Sequence, residues 1–274
     1  MLLFSAARQL RSPGAARSCI VYLPSKGLIM SQTTVLAIDT ATENCSVALS
    51  HGDKIFYKGQ VAPQKHASLV LGMIDDLLRE NGVERSDIDC VAFGSGPGSF
   101  TGVRIAVSAA QALALGLDVK VFGVSDLKLL TVKQMVAQGS MEHPCYGLSC
   151  IDARMGEVYL ALYRYDGNNL STVLAEQVIR PEAALELIAG ELSKVEAGAV
   201  TVTGGTGMAI LKEAASARPD LSLPDLSTEE THLYPEADAI IMCSRLGDMN
   251  LTDPALAEPL YCRNEVTWKK IGEQ

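Results

Sequence analysis

The sequence predicts an α/β protein made of two like halves, and three observations carry that prediction. Short apolar runs of strand length alternate with longer stretches of helical periodicity. A strand, a glycine turn and a helix follow one another twice, around residues 91–104 and 200–207. An apolar run ending in aspartate also occurs twice, at Ile38-Asp39 and at Ile151-Asp152, each closing the first strand of its half.

The elements follow in order. Thr34 to Ile38 is a short apolar run consistent with a buried strand. Cys45 to Ser50 and Lys54 to Lys58 flank His51-Gly52-Asp53, a hairpin turn signal. From Lys65, apolar residues at 67, 69–71, 74, 77 and 78 recur at helical spacing and stop at Asn81-Gly82, which predicts an amphipathic helix. Val91 to Phe93 is the next strand. Gly94-Ser95-Gly96-Pro97-Gly98-Ser99-Phe100-Thr101-Gly102 is the turn, with Ser99 and Thr101 as N-cap candidates. An alanine-rich helix then runs to Gly116, placed as its C′ glycine, and Lys120 to Val124 is a strand. The second half repeats the pattern. Strands are expected at 146–151, 157–165 and 171–179, the last two joined by Asp166-Gly167-Asn168-Asn169. A helix starts at Pro181, a strand at Val200 runs into Gly204-Gly205-Thr206-Gly207, and a second helix follows. Residues 216–235 are proline-rich and polar, and a helix over 234–246 with an extended tail closes the chain. Two tandem β-β-β-α-β-α units predict a duplicated ribonuclease-H-like, actin-like architecture. The N-terminal lobe is expected over 30–135 and the C-terminal lobe, with the closing helix and tail, over 136–274.

Residues 1–29 are expected to lie outside that fold. They hold Arg8, Arg11, Arg17 and Lys26, no acid, and no continuous apolar core. They fit either a mitochondrial transit peptide or translated upstream sequence with the start at Met30. The second is favoured because a strand begins so soon after Met30. Without those four cations, 19 basic side chains face 32 acidic ones. A body that acidic is a poor match for phosphate contacts of its own. The one basic cluster, Arg263 with Lys269 and Lys270, reads as a solvated tail. Seven cysteines without C-x-x-C spacing read as buried small hydrophobes in a reducing compartment, and no run is long enough to predict a membrane span.

Catalytic patterns are weighed against plain structural roles. Asp39-Thr40-Ala41-Thr42 could serve as a phosphate or metal loop, but no lysine stands beside it and no Gly-x-x-x-x-Gly-Lys-[Ser/Thr] occurs. A capped turn is the preferred role. Gly204-Gly205-Thr206-Gly207 fits a phosphate turn or a tight entry into a helix equally well. Asp39, Asp152, Gly204 and Gly205 are therefore the weak nucleotide-binding candidates. The four histidines form no H-x-x-x-H pair, and Ser99 sits in no Gly-x-Ser-x-Gly elbow, so neither a metal site nor a serine nucleophile is predicted. Asp152, Arg154 and Glu157 read as a turn-stabilising ion cluster. The Gly94–Gly102 turn before an alanine-rich helix suits close packing better than a dinucleotide unit.

Four blocks carry a family resemblance: Ile38-Asp39-Thr40-Ala41-Thr42 with Cys45 to Leu49; Gly96 to Arg104; Ile151-Asp152-Ala153-Arg154 with Gly156 to Tyr159; and Pro259-Leu260-Tyr261 with Arg263-Asn264. In this order, over Thr33 to Lys270, the chain closely resembles the TsaB (YeaZ) family of bacterial tRNA threonylcarbamoyladenosine biosynthesis. The resemblance implies a two-lobed actin-like fold and a heterodimer with the related catalytic subunit TsaD, which transfers a threonylcarbamoyl group to N6 of adenosine 37 in tRNAs reading ANN codons. The ATPase TsaE joins them in a ternary complex. It implies no catalytic residue, metal or cofactor in this chain, with ATP used through the partner subunits. The window Val124 to Leu129 lacks the histidine pair expected of TsaD.

The implied pairing surface is made of the two N-lobe helices, about 66–78 and 101–115, contributing half of a four-helix bundle. The contacts expected are His66, Leu69, Met73 and Leu77 from the first helix and Thr101, Ala106, Ala109, Ala110 and Leu113 from the second. Contact with tRNA is expected to be indirect, a homodimer is expected to be possible, and the location is expected to be cytoplasmic, away from any membrane. The competing functions are an actin-like or sugar-kinase-like ATPase and a peptidase-related protein.

Overall fold

The computed structural model describes residues 17–22, 33–195, 201–227 and 233–262. Its strands are β1 (Arg17–Tyr22), β2 (Val35–Asp39), β3 (Asn44–His51), β4 (Lys54–Val61), β5 (Cys90–Gly94), β6 (Lys120–Val124), β7 (Cys145–Arg154), β8 (Glu157–Tyr165), β9 (Leu170–Ile179) and β10 (Thr201–Gly204). Its α-helices are α1 (His66–Asn81), α2 (Phe100–Leu117), α3 (Asp126–Ala137), α4 (Pro181–Leu192), α5 (Met208–Ala215) and α6 (Ala237–Arg245). Arg263, Lys269 and Lys270, and the extension apart from β1, lie outside the described residues.

Two sheets form, in the orders β1-β4-β3-β2-β5-β6 and β10-β7-β8-β9. In each, a hairpin-linked antiparallel trio is joined by a parallel strand, β5 beside β2 and β10 beside β7, and in the first sheet β6 follows in parallel beside β5. The trio β4-β3-β2 plus β5 thus has the same order and sense as β9-β8-β7 plus β10, which is the duplication the sequence predicted. Backbone pairing of β1 with β4 adds a further strand, so Arg17–Tyr22 joins the sheet although the whole extension was expected outside it.

The first sheet is covered on both faces, which is why its central strands read as unbroken apolar runs. Leu36, Ile38, Val47, Val91 and Phe93 pack under α1 and α2. Val35, Ala37, Ala48, Ala92 and Phe122 pack under α3 and α6. The closing helix α6 was expected in the second lobe but packs against β2, β3, β4 and β5 of the first. In the second sheet, Leu148, Leu160 and Leu162 face α4 and α5, while Ala161 and Tyr163 face Leu127 and Leu130 of α3.

Helix α3 is therefore shared by both sheets. Eight of its twelve residues are buried, so it lacks the polar stripe that marks a surface helix. It begins within the last residues assigned to the first lobe and contacts β7, β8 and β10 of the second.

The remaining expectations meet local corrections. Gly116 does not end α2; the helix runs on to Leu117 and Asp118 takes the left-handed position, with φ 57°. Burial pushes the thiols of Cys45 and Cys90 up to about 12, as expected of cysteines used as small core residues. Among the described residues one helix, α2, is long and apolar enough to cross a membrane by length and composition, against the expectation that no run would be. Its Val103, Ala106, Val107, Ala110 and Ala114 belong to the core of the first lobe.

Candidate functional site

The glycine turn is packed against the chain's own backbone. A Cβ on Gly98 would stand 2.4 Å from the carbonyl oxygen of Ala41, and one on Gly102 would stand 2.1 Å from that of Thr40. Real Cβ atoms do not approach so closely, so only glycine admits this contact. The Ser99 N–H donates to the Ala41 carbonyl (2.7 Å) and Thr40 Oγ1 donates to the Gly102 carbonyl (2.7 Å). Ser99 also caps α2, its side chain accepting from the Gly102 N–H. The turn thus clasps the loop after β2.

The second glycine turn repeats the device. Gly205, at φ 105°, would place a Cβ 2.1 Å from the Cys150 carbonyl, and the Gly207 N–H donates to that carbonyl (2.9 Å). Gly204 pairs with Ser149 at the end of β10. Thr206 Oγ1 accepts from the Asp152 N–H (3.1 Å).

The two aspartates have different settings. Asp39 is fully buried, accepts from the Ala41 N–H (2.8 Å) and lies with the Asp126 carboxyl beside Gly94. Burial raises its pKa, and burial with the neighbouring Asp39 raises that of Asp126. Asp152 instead accepts from the Arg154 N–H (2.7 Å) and pairs with its guanidinium (2.9 Å), the turn-stabilising arrangement predicted. Arg154 also reaches Glu43 (3.0 Å), linking the β7–β8 turn to the loop before β3. Asp39 is bonded within the first lobe, and Asp152, Gly204 and Gly205 are engaged within the second.

Helices α1 and α2 lie side by side on the first sheet. The expected contact residues divide into two groups. His66, Met73, Leu77, Ala106 and Ala110 are buried within the protomer, Leu77, Ala106 and Ala110 completely. They hold the helices to the sheet and offer nothing outward. Leu69, Thr101, Ala109 and Leu113 are at least partly accessible. The outward residues include Leu71, Gly72 and Asp75 on α1, beside exposed Ala67, Ser68, Arg79 and Glu80, and Thr101, Ser108, Ala112, Leu115 and Gly116 on α2, with Ile105 at the margin. Leu71 is 55% exposed and Leu115 63%. Advancing 100° per residue from Thr101 through Ser108, Ala112 and Leu115 keeps one face, so a helical wheel would have separated the two groups.

A strap from Leu251 to Tyr261 braces α2 from one side. Thr252 bridges Val121, and Gln111 Nε2 donates to the carbonyls of Pro254 (3.1 Å) and Ala257 (3.2 Å). The Leu260 N–H donates to the Ser95 carbonyl (2.7 Å). The Arg104 guanidinium stacks on Phe100, 3.3 Å from its ring centre, and lies 5.1 Å from that of Tyr261. Phe100 is 67% exposed, so an apolar rim continues from α2 onto the strap.

Comparison with known proteins agrees with this architecture. The family model for TsaD, tRNA N6-adenosine threonylcarbamoyltransferase, matches residues 57–270. The tRNA threonylcarbamoyladenosine biosynthesis protein TsaB of Escherichia coli (strain K12) is 37% identical over 245 residues, which cover 86% of this chain and 97% of that protein. TsaB of Haemophilus influenzae is 33% identical over 252 residues, covering 88% of this chain and 98% of its own. The solved structure of YeaZ from Pseudomonas aeruginosa aligns with a TM-score of 0.69 and 32% identity, over 84% of this chain and all of that one. The fold is the two-lobed, actin-like α/β fold.

Proposed function

The chain belongs to the TsaB family of tRNA threonylcarbamoyladenosine biosynthesis proteins, and from that membership we propose that it is the non-catalytic partner of the transferase subunit TsaD. Its role lies in tRNA threonylcarbamoyladenosine biosynthesis. In this proposal the chain docks TsaD through the outward faces of α1 and α2 and holds it in its active form. TsaE joins the pair, ATP is used through the partner subunits, and tRNA is contacted mainly by them. The chain needs no cofactor of its own.

One observation carries the docking proposal. α2 is apolar enough to pass for a membrane-crossing helix, yet only 33% of it is buried within the protomer. The rest presents Ile105, Ala112, Leu115 and Gly116 beside Leu71 and Gly72 of α1. Small residues let a second pair of helices approach closely, and burying this face would remove apolar surface from water. Two such faces can also meet as a homodimer. The glycine turns support a structural role, because each is filled by the chain's own backbone.

The test is co-purification with TsaD followed by a tRNA modification assay, using the natural chain and Leu115→Arg. The variant is expected to fold, to leave TsaD unpaired and to lower modification. A full complex with undiminished modification would overturn the docking face.

A further inference from the structure

Two carboxyls meet in the middle of the first lobe. Asp39 ends β2 and Asp126 begins α3; both side chains are completely buried, and their carboxyls converge beneath Gly94. Gly94 passes over the pair so closely that a Cβ there would stand 2.7 Å from Asp126 Oδ1 and 3.1 Å from the Asp39 carboxyl carbon. Asp39 Oδ1 and Asp126 Oδ2 accept from the N–H groups of Ala41 (2.8 Å) and Gly96 (2.5 Å). The other two oxygens, Asp39 Oδ2 and Asp126 Oδ1, have no hydrogen-bond partner among the described residues. Two ionised carboxylates have no proton to place between them and repel; one proton between them supplies the donor.

We propose that Asp39 and Asp126 hold a single shared proton at neutral pH, and that Asp126 is thereby a positioning residue for the docking helix α2. Asp126 grips the turn before α2 twice, since its own N–H also donates to the Gly96 carbonyl (2.8 Å). The pair ties that turn to the Asp39–Thr42 loop, whose Thr42 carbonyl lies 2.7 Å from His66 Nε2 at the start of α1. One proton therefore joins the origins of both docking helices. The charged and titratable groups around the pair are His66 of α1, Cys45 of β3 and Glu236 before α6. Burial favours the neutral form, as the raised values of both carboxyls indicate.

The positional role rests on the docking proposed above; the shared proton does not, and the experiments separate them. Infrared spectroscopy of the unmodified chain at pH 7 is expected to show the carbonyl stretch of a protonated, buried carboxyl, and Asp126→Asn is expected to remove it. In the unfolded chain an aspartate releases its proton near pH 4. Between pH 5 and 8 the native state then holds one proton more than the unfolded state, so stability falls as pH rises. Relative to Asp126→Asn, the folding equilibrium constant of the natural chain should fall about tenfold per pH unit in urea titrations. A missing signal, a signal lost on adding magnesium chloride, or equal pH slopes would overturn the shared proton. For docking, Asp126→Ala should weaken TsaD binding by about tenfold while Asp126→Asn, which keeps the acceptor, restores it. Equal binding by both variants, with the infrared signal present, would overturn only the positional role.

Discussion

The carbonyl oxygen of Ala41 occupies the place that a side chain on Gly98 would need, and accepts a hydrogen bond from the next N–H in the turn, that of Ser99. The most conspicuous motif in the sequence is thus a packing device. It lets the loop after β2 and the turn before α2 touch backbone to backbone, with Thr40 and Gly102 forming a second contact of the same kind.

Gly102→Ala is therefore expected to destabilise the chain by about 3 kcal/mol, because the added methyl meets a carbonyl that cannot swing aside. Gly116 lies on the same helix with nothing within 4 Å of its would-be Cβ. Gly116→Ala should stabilise by about 0.5–1 kcal/mol through helix propensity alone. Urea unfolding of the two variants checks both, and a loss at Gly116 as large as at Gly102 would contradict the packing argument.

Ala110 and Ala112 are two residues apart and should behave in opposite ways. Ala110 is completely buried against the first sheet, so Ala110→Arg forces an unpaired cation into the core and should abolish folding. Ala112 faces outward, so Ala112→Arg should change stability by no more than about 0.5 kcal/mol. It should still prevent pairing. Thermal melts with size-exclusion chromatography separate the outcomes; an Ala112→Arg chain that pairs normally would move the docking face elsewhere.

The helices that bear this face were legible in the sequence; the face was not. Alanine suits close approach to a partner and to the protein's own sheet equally, and only the rotation of α2 decides between them. Leu77 and Ala106, expected as contacts, are completely buried, because the apolar character that suits a partner face suits the core equally. Helix α3 gave no signal at all, since Leu127, Leu129, Leu130 and Val132 are buried on several sides and leave no polar stripe. The duplicated strand order was readable because turn residues punctuate it. The Asp39–Asp126 contact was not, because nothing local in either stretch announces a partner so distant in the chain.

Gln111 should govern the strap. Its single amide nitrogen donates to two strap carbonyls, of Pro254 and Ala257. Gln111→Ala should loosen the segment by about 1–2 kcal/mol and speed protease cleavage within 251–261 by roughly tenfold. Unchanged cleavage would mean that the Thr252–Val121 bridge and the Leu260–Ser95 bond hold the strap unaided.

Lys133 joins α3 to α6 from within. Its ammonium is bonded to the completely buried Asp238 and lies 2.7 Å from Glu236. The two carboxylates hold the lysine above its usual range, although burial opposes them, while burial raises Asp238 further than Lys133 lowers it. Removing the cation leaves a buried carboxylate uncompensated, so Lys133→Met should cost about 3 kcal/mol at pH 7. The sign of the pH dependence follows from the raised carboxyl. Native Asp238 in the variant takes up a proton at a pH where the unfolded chain has none, so the variant gains stability as the pH is lowered. The deficit relative to the natural chain should therefore shrink from pH 7 to pH 5 in urea titrations. Lys133→Met with Asp238→Asn should recover much of the loss at pH 7 because the completely buried carboxylate is gone, leaving only the more accessible Glu236. A deficit that stays constant with pH, and that the second substitution does not relieve, would show that Lys133 acts through its packing on the Tyr57 ring, 5.3 Å from the ammonium, and not through its charge.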